Sequence, residues 1–207
     1  VKQHMDYPIN FRVERRNLTG NSILIEGNEA TALGAIYGGA TVVAWYPITP
    51  STSVAQSFES YANKLRIDPE TKKKKFAVVQ AEDELSAIGM VIGAAWNGSR
   101  SLTATSGPGV SLMSEFLGLA YYAEIPAVLV NVQRGGPSTG MPTRTQQADI
   151  ISTLYASHGD TKHPLLFPAN PAECFDMTAT ALDMADRLQT PIMVMSDLDL
   201  GMNVHMS

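Results

Sequence analysis

Short apolar runs alternate along the chain with stretches in which apolar residues recur at helical spacing. The runs predict strands at Ser22–Glu26, Thr41–Tyr46, Phe76–Gln80, Ser101–Ser106, Ala127–Gln133, Leu165–Pro168 and Pro191–Ser196. The stretches between them predict helices at Asn28–Gly38, Ser51–Arg66, Asp83–Asn97, Val110–Ala123, Gln147–Ser157 and Pro171–Leu188, with Ser51 as an N-cap. Because apolar strands separated by helices indicate βαβ units, we expect an α/β fold with three α-β-α layers around a mainly parallel sheet.

The length of 207 residues fits one large domain. We expect residues 21–197 to form it, with residues 1–20 as a polar N-terminal extension. Residues 198–207 look like a loop that starts a linker to a following domain. Because residue 1 is Val, the chain is expected to be a piece of a longer polypeptide.

The net charge, the length of the apolar runs and the cysteine count exclude several classes of protein. A formal net charge of −5 argues against a nucleic-acid-binding protein, because such proteins need a basic face. The lysines of Asp68–Lys75 are interpreted as a solvated loop. The longest apolar runs, such as Ile125–Val132, are too short to span a bilayer. A single cysteine, Cys174, excludes an internal disulfide or a multi-cysteine cluster in this chain and fits a reducing, cytoplasmic compartment.

In open parallel sheets, ligands bind beyond the carboxyl ends of the strands. Four segments that follow predicted strands are rich in Gly, Pro and polar residues: Tyr46–Ser51, Ala81–Glu84, Ser106–Gly109 and Gln133–Thr145. We therefore expect the chemistry of this protein at these four segments.

Glu84 begins an otherwise apolar helical stripe. Positions 84, 87, 88, 91, 92 and 95 share one helix face and read Glu, Ala, Ile, Val, Ile and Ala. Burial raises the pKa of a carboxyl group and a helix N-terminus lowers it, so the pattern alone leaves two hypotheses open. Glu84 is either a structural residue held by backbone amides or a functional acid. Glu82 and Asp83 are interpreted as solvent-facing residues at the helix start.

The segment Gln133–Thr145 reads QRGGPSTGMPTRT and indicates an anion site. A guanidinium with nearby hydroxyls and free amides suits a carboxylate or a phosphate, although a solvated loop would have the same composition. The candidate groups are Arg134, Ser138, Thr139, Thr143 and Arg144. The turn Thr105–Gly109 could also present amides to an anion. His158 and His163 are interpreted as loop or interface histidines rather than metal ligands, and Cys174 as a core residue.

Several long motifs, in order, resemble the α-chains of 2-oxoacid:ferredoxin oxidoreductases. They are YPITPS at Tyr46–Ser51, the stretch Glu82–Met113, QRGGPSTG at Gln133–Gly140 followed by Pro142-Thr143, and SDLDLGMN at Ser196–Asn203. The closest resemblance is to the α-subunit of 2-oxoglutarate:ferredoxin oxidoreductase, and it covers residues 22 to 206. It implies the pyrimidine-binding domain of a thiamine diphosphate enzyme that converts a 2-oxoacid and coenzyme A to an acyl-CoA and CO2, reducing ferredoxin.

The resemblance also implies roles for individual residues. Glu84 matches the glutamate that thiamine enzymes place against N1′ of the aminopyrimidine, and Gly89 and Gly93 match the glycines of the same helix. Thr49, Arg134 and Thr143 match residues that hold the carboxylate and 2-oxo group of the substrate. Further cofactor contacts are expected at Pro47, Ile48, Ser106 and Gly107. Arg144 is a candidate for a distal carboxylate of the substrate.

This chain lacks other parts that such an enzyme needs. Gly159-Asp160 does not complete a diphosphate motif, and no cysteine cluster exists. The resemblance therefore implies that Mg2+, the diphosphate site and a [4Fe-4S] cluster belong to a partner β-subunit, in a homo- or hetero-oligomer. Alone, the chain should be inactive, and apolar positions near Leu112–Tyr122 would be contact surfaces.

A second hypothesis is a non-catalytic parallel α/β module that binds an anion or assembles partners. The two hypotheses differ in whether Glu84, Thr49, Arg134 and Thr143 line one edge of a crevice.

Overall fold

The computed structural model describes residues 13–137 and 140–207. Within these ranges the strands are β1 (Leu24–Glu26), β2 (Val42–Trp45), β3 (Ala77–Gln80), β4 (Ser101–Thr105), β5 (Ala127–Gln133), β6 (Leu165–Leu166), β7 (Pro191–Asp197) and β8 (Val204–Met206). The helices are α1 (Gly27–Tyr37), α2 (Thr52–Leu65), α3 (Glu84–Trp96), α4 (Gly107–Tyr122), α5 (Ile150–Leu154), α6 (Pro171–Leu188) and α7 (Leu198–Met202). The part of the chain before β1 that is described, residues 13–23, is exposed and holds no helix or strand.

Six of these strands form one sheet in the order β3-β2-β4-β5-β7-β6. Every pairing in it is parallel, which confirms the predicted α/β fold. After β2 the chain adds β3 on one side, and it then returns to add β4 on the other side. The strand order therefore reverses between β2 and β4, and a crevice opens at such a switch point.

Helices cover both faces of the sheet. One core cluster joins α1, α2 and α6 to the sheet and includes Phe58, whose side chain has no exposed surface. The other joins α3 and α4 through residues such as Ile88 and Leu117. All seven residues of β5 are buried, as a central strand covered on both faces requires.

The stripe on α3 faces the core as predicted. Its buried residues are Glu84, Ala87, Ile88, Val91, Ile92 and Ala95. Asp83 caps the helix by accepting a hydrogen bond of 2.6 Å from the backbone N–H of Ser86. Glu82 and Asp83 are exposed, also as predicted.

The prediction for the C-terminal segment is wrong. Instead of a loop, residues 198–206 form α7 and β8. β8 pairs antiparallel with β1 in a separate two-stranded sheet, with Leu24 opposite Met206. The predicted strand at Ser22–Glu26 is therefore shorter than expected and lies outside the parallel sheet. Short segments at opposite ends of the described chain carry too little pattern to reveal this pairing.

Two helix predictions also need correction. The helix expected at Gln147–Ser157 is only Ile150–Leu154. Ser51 precedes α2, but it makes no capping hydrogen bond, because its hydroxyl donates to the carbonyl of Ile48 at 3.0 Å. The tight Ile48–Thr52 turn uses this hydroxyl locally, and the Thr52 hydroxyl accepts from the Ile48 N–H at 3.2 Å.

The lysines of residues 72–75, Cys174 and the two histidines differ in exposure. Lys72–Lys75 are exposed, and Cys174 is a buried core residue of α6; both agree with expectation. His158 lies on the surface, 2.6 Å from Glu115, whereas His163 is only 2% exposed. Within the described ranges, no helix combines the length and apolarity that crossing a bilayer requires.

Candidate active site

The four segments singled out by the sequence meet at one edge of the sheet. They follow the carboxyl ends of β2, β3, β4 and β5, which run parallel. The second segment is joined to the end of β2, since the N–H of Ala81 donates to the carbonyl of Trp45 at 2.8 Å. This edge contains the switch point, so the prediction of a site there agrees with the fold.

Glu84 lies at the first turn of α3 with 8% of its surface exposed. Gly109 of α4 packs against it: a Cβ at that glycine would lie 2.9 Å from Glu84 Cγ and on top of Thr105 Oγ1. Among the described residues, no hydrogen bond or ion pair to the Glu84 carboxylate is present. The carboxyl group is thus held by packing and can bind a ligand.

Arg134 follows β5 directly and is 7% exposed. Its Nη1 donates a hydrogen bond of 2.8 Å to the carbonyl oxygen of Thr49, in the loop after β2. Burial lowers the pKa of its guanidinium, and the negative charge of Glu84 opposes that shift. Arg134 therefore spans the crevice, within the electrostatic reach of Glu84.

Arg134 also borders a pocket of about 480 Å³. The wall is formed by the start of α4, the loop after β5 and the segment around α5. The other residues that line it are Gly107, Pro108, Ser111, Leu112, Gly136, Pro137, Ala148, Asp149 and Ser152. A mainly apolar pocket with a few polar groups has the character of a small-molecule site.

The described contacts do not connect every predicted residue to the others. Thr143 and Arg144 are exposed, and the described contacts do not join the Thr143 side chain to Thr49, Glu84 or Arg134. Backbone hydrogen bonds fold this segment back on itself, from Gly135 N–H to Arg144 O at 3.0 Å and from Met141 N–H to Gly135 O at 3.1 Å. Ser138 and Thr139 lie outside the described residues. The substrate-binding roles of Thr49, Arg134 and Thr143 stay predictions.

Sequence reasoning missed Asn28 on α1. This fully buried residue donates through Nδ2 to the carbonyl of Pro50 at 2.9 Å and to Ser53 Oγ at 2.8 Å. It thereby holds the loop that carries Pro47, Ile48 and Thr49. A polar residue in an Ala-rich helix is a weak signal, because its partner is 22 residues away.

A second missed group lies at the end of β5. Asn131 and Gln133 are completely buried, and their side-chain amides donate to the carboxylate of Asp149. The Asn131 bond to Asp149 Oδ2 is 2.7 Å long. The signal was present in the strand itself, because AVLVNVQ places two amides, two residues apart, in an otherwise apolar run.

The residues present fit the aminopyrimidine end of thiamine diphosphate. Thr105 Oγ1 and Ser106 Oγ are buried hydroxyl groups without a hydrogen-bond partner among the described residues. They lie at the turn into α4, next to Gly107, and Glu84 approaches the same turn. Pro47 and Thr49 are exposed, and Ile48 is half-buried. The described part of the chain holds no group of three or more His, Cys, Asp or Glu arranged for a metal ion.

A parallel α/β domain with an acid, a guanidinium and unpartnered hydroxyls at its switch point belongs to the class of cofactor-binding domains. The chain is a member of the pyruvate flavodoxin/ferredoxin oxidoreductase, thiamine diphosphate-binding family, whose model matches residues 33–205. The resemblance found in the motifs is thereby confirmed.

Curated relatives agree with this assignment. The chain is 46% identical over 177 residues to the 2-oxoglutarate synthase subunit KorA of Methanothermobacter thermautotrophicus, a match that covers 86% of this chain and 45% of the relative. It is 48% identical over 171 residues to the 2-oxoacid:ferredoxin oxidoreductase 1 subunit alpha of Sulfurisphaera tokodaii, which covers 81% and 27%. The first of these relatives is named as a synthase subunit and the second as an oxidoreductase subunit.

A solved structure has the same fold. The 2-oxoglutarate:ferredoxin oxidoreductase from Magnetococcus marinus, with 2-oxoglutarate, coenzyme A and succinyl-CoA bound, superposes with a TM-score of 0.86 at 39% identity. The match covers 96% of this chain and 33% of that one. The chain therefore spans between about a quarter and a half of the length of these similar proteins.

Proposed function

We propose that this chain is part of the α-subunit of a thiamine diphosphate-dependent 2-oxoacid:ferredoxin oxidoreductase. The reaction would convert 2-oxoglutarate, coenzyme A and oxidised ferredoxin to succinyl-CoA, CO2 and reduced ferredoxin. The observation that carries the proposal is that a buried acid, Glu84, and a buried guanidinium, Arg134, follow strand ends at the switch-point edge of a domain from a thiamine diphosphate-binding family. 2-Oxoglutarate is preferred among 2-oxoacids because relatives are named for it.

Each residue would act by a simple interaction. Glu84 would hold a proton against the N1′ nitrogen of the aminopyrimidine, and its near-complete burial keeps bulk water from competing for that bond. Arg134 would bind the carboxylate next to the 2-oxo group. The hydroxyls of Thr49 and Thr143 would orient the substrate. The cofactor would be contacted by Pro47, Ile48, Ser106 and Gly107. When bound, thiamine diphosphate supplies the electron sink that decarboxylation of a 2-oxoacid requires.

The remaining parts would come from a partner. We propose a β-subunit that holds the diphosphate, Mg2+ and a [4Fe-4S] cluster, and that passes electrons to ferredoxin. Leu112, Leu119 and Tyr122 of α4 are exposed apolar side chains, which suits an interface. The pyrimidine end of the cofactor would be bound here and its other end by the partner, so the isolated chain should show no turnover.

The test is to express the intact complex and to follow dye reduction with coenzyme A and several 2-oxoacids. Glu84→Gln should lower kcat by at least about 100-fold, the usual contribution of a positioned acid or base, while the complex still assembles. Glu82→Gln is the matched control, because that glutamate is exposed two residues away.

Three results would count against the proposal. Full activity in the Glu84→Gln complex would refute the role of Glu84. Turnover by the isolated chain would refute the proposal that the cofactor site is shared between this chain and a β-subunit. A wild-type complex that consumes no 2-oxoacid would leave only an anion-binding or assembly module.

A further inference from the structure

The carboxylate of Asp149 connects the loop before α5 to the last residues of β5. One oxygen, Oδ2, accepts from Asn131 Nδ2 at 2.7 Å, and the other, Oδ1, accepts from Gln133 Nε2. Both amide side chains have no exposed surface. Because residues 131 and 133 lie on the same face of the strand, one carboxylate can reach both of them.

The same carboxylate also packs against the start of α4. A Cβ at Gly107 would lie 2.6 Å from Asp149 Oδ2, so the carboxylate occupies the space where a side chain at residue 107 would be. Asp149 therefore fixes β5 relative to the turn of Ser106 and Gly107, where we expect cofactor contacts. The negative charge also lies favourably near the N-terminal end of this long helix.

Gln133 is the residue immediately before Arg134. A shift of Gln133 would move the backbone of Arg134 and with it the guanidinium. That group donates to Thr49 O at 2.8 Å and interacts electrostatically with Glu84. Asp149 and Arg134 also border the same pocket. The Asp149 carboxylate therefore bonds to the residue next to Arg134, which is the proposed clamp for the substrate. It does not need to touch the carboxylate of the substrate itself.

We infer that Asp149 is a positioning residue for the reaction, which aligns Arg134 with the Ser106–Gly107 turn through its two bonds to Asn131 and Gln133. This inference rests on the proposed function. It predicts that losing either bond misplaces the clamp, and that the effect falls mainly on the binding of the 2-oxoacid.

The test uses the intact complex and three variants. In Asp149→Leu, whose side chain is close to aspartate in shape, neither of the two amides keeps an acceptor. In the double variant Gln133→Glu with Asp149→Asn, the carboxylate and the amide exchange places. The new amide at position 149 then accepts from Asn131 and donates to the new carboxylate at position 133, so both bonds and the net charge are restored. Asp160→Asn, an exposed acid beyond α5, is the control.

Asp149→Leu should raise the KM for 2-oxoglutarate about tenfold or more, because misplacement of a clamp by about 1 Å has effects of that order or larger. The change in kcat should be smaller, since the clamp binds substrate before any chemistry. The exchange variant should return the KM most of the way to the wild-type value, and the control should have the wild-type KM. The melting temperature of each complex is measured in parallel.

Two outcomes would overturn the inference while the proposed function stands. One is an unchanged KM in Asp149→Leu, also where the melting temperature and kcat fall, which would indicate a structural role only. The other is a raised KM that the exchange variant does not restore, which would show that the two bonds do not position Arg134. A wild-type complex without 2-oxoacid oxidation would refute the proposed function and this inference together.

Discussion

At the scale of single residues, the site depends on a guanidinium that crosses from one strand end to another. Arg134 leaves β5, is almost fully buried, and reaches the backbone of the loop after β2. Burying a guanidinium is costly, and burial accordingly lowers its pKa. The nearby carboxylate of Glu84 offsets part of that cost. A buried cation at the edge of a pocket is well suited to bind an anionic ligand.

Replacing Arg134 by Met tests that role, because Met fills a similar volume without charge. A hydrogen bond to a charged group contributes about 1.5–3 kcal/mol, so the KM for a 2-oxoacid should rise about ten- to a hundredfold. The measurement is steady-state kinetics of the complex, with Arg187→Met, an exposed arginine at the end of α6, as the control. An unchanged KM would contradict the clamp.

At the scale of elements, the packing of α4 against α3 fixes the position of the acid. The two helices share one face of the sheet, and Gly109 allows Glu84 and Thr105 to approach the turn before α4. The glycine is required by this contact and not by its backbone angles. A substitution here would therefore disturb stability and the site together.

Gly109→Ala should lower the free energy of unfolding by about 1–3 kcal/mol, the usual cost of overpacking. It should also lower kcat, because the added methyl group displaces Glu84. Gly93→Ala is the control: a Cβ there meets nothing within 4 Å, and alanine favours a helix by about 1 kcal/mol. Thermal unfolding and turnover are measured for both variants. Equal stability of the two variants would contradict this prediction.

The sequence predicts those elements whose hydrophobic spacing is a local property of the chain. The buried stripe that begins at Glu84 follows from helical spacing alone, and the strand-end location of the site follows from the βαβ order. The links between Asp149 and Gln133, and between Asn28 and Pro50, join residues 16 and 22 positions apart, and local spacing does not encode them. The pairing of β1 with β8 was missed for the same reason, because it joins segments that are about 180 residues apart in the sequence.

At the scale of the whole molecule, two helical layers enclose the sheet, and several polar side chains are buried with it. One of these is His163, which is 2% exposed and lies 2.9 Å through Nε2 from the carbonyl of Ala156. That contact fits the neutral ring with its proton on Nε2. Burial lowers the pKa of His163, and the bond to Ala156 opposes the shift only in part. The stability of the entire chain is therefore linked to pH through this ring.

The direction of that link follows from the two states. In the unfolded chain the pKa of a histidine is about 6.5, and in the folded protein the pKa of His163 is lower, so the unfolded chain binds more protons below about pH 6.5. The free energy of unfolding should hence fall as the pH drops below about 6.5, by at most about 1.4 kcal/mol per pH unit from this group. Denaturant titrations between about pH 7.5 and 5 would measure it. His163→Asn should flatten the decline, whereas His158→Asn, at an exposed position, should leave it in place. A decline of the same slope in His163→Asn would show that other groups cause the loss of stability.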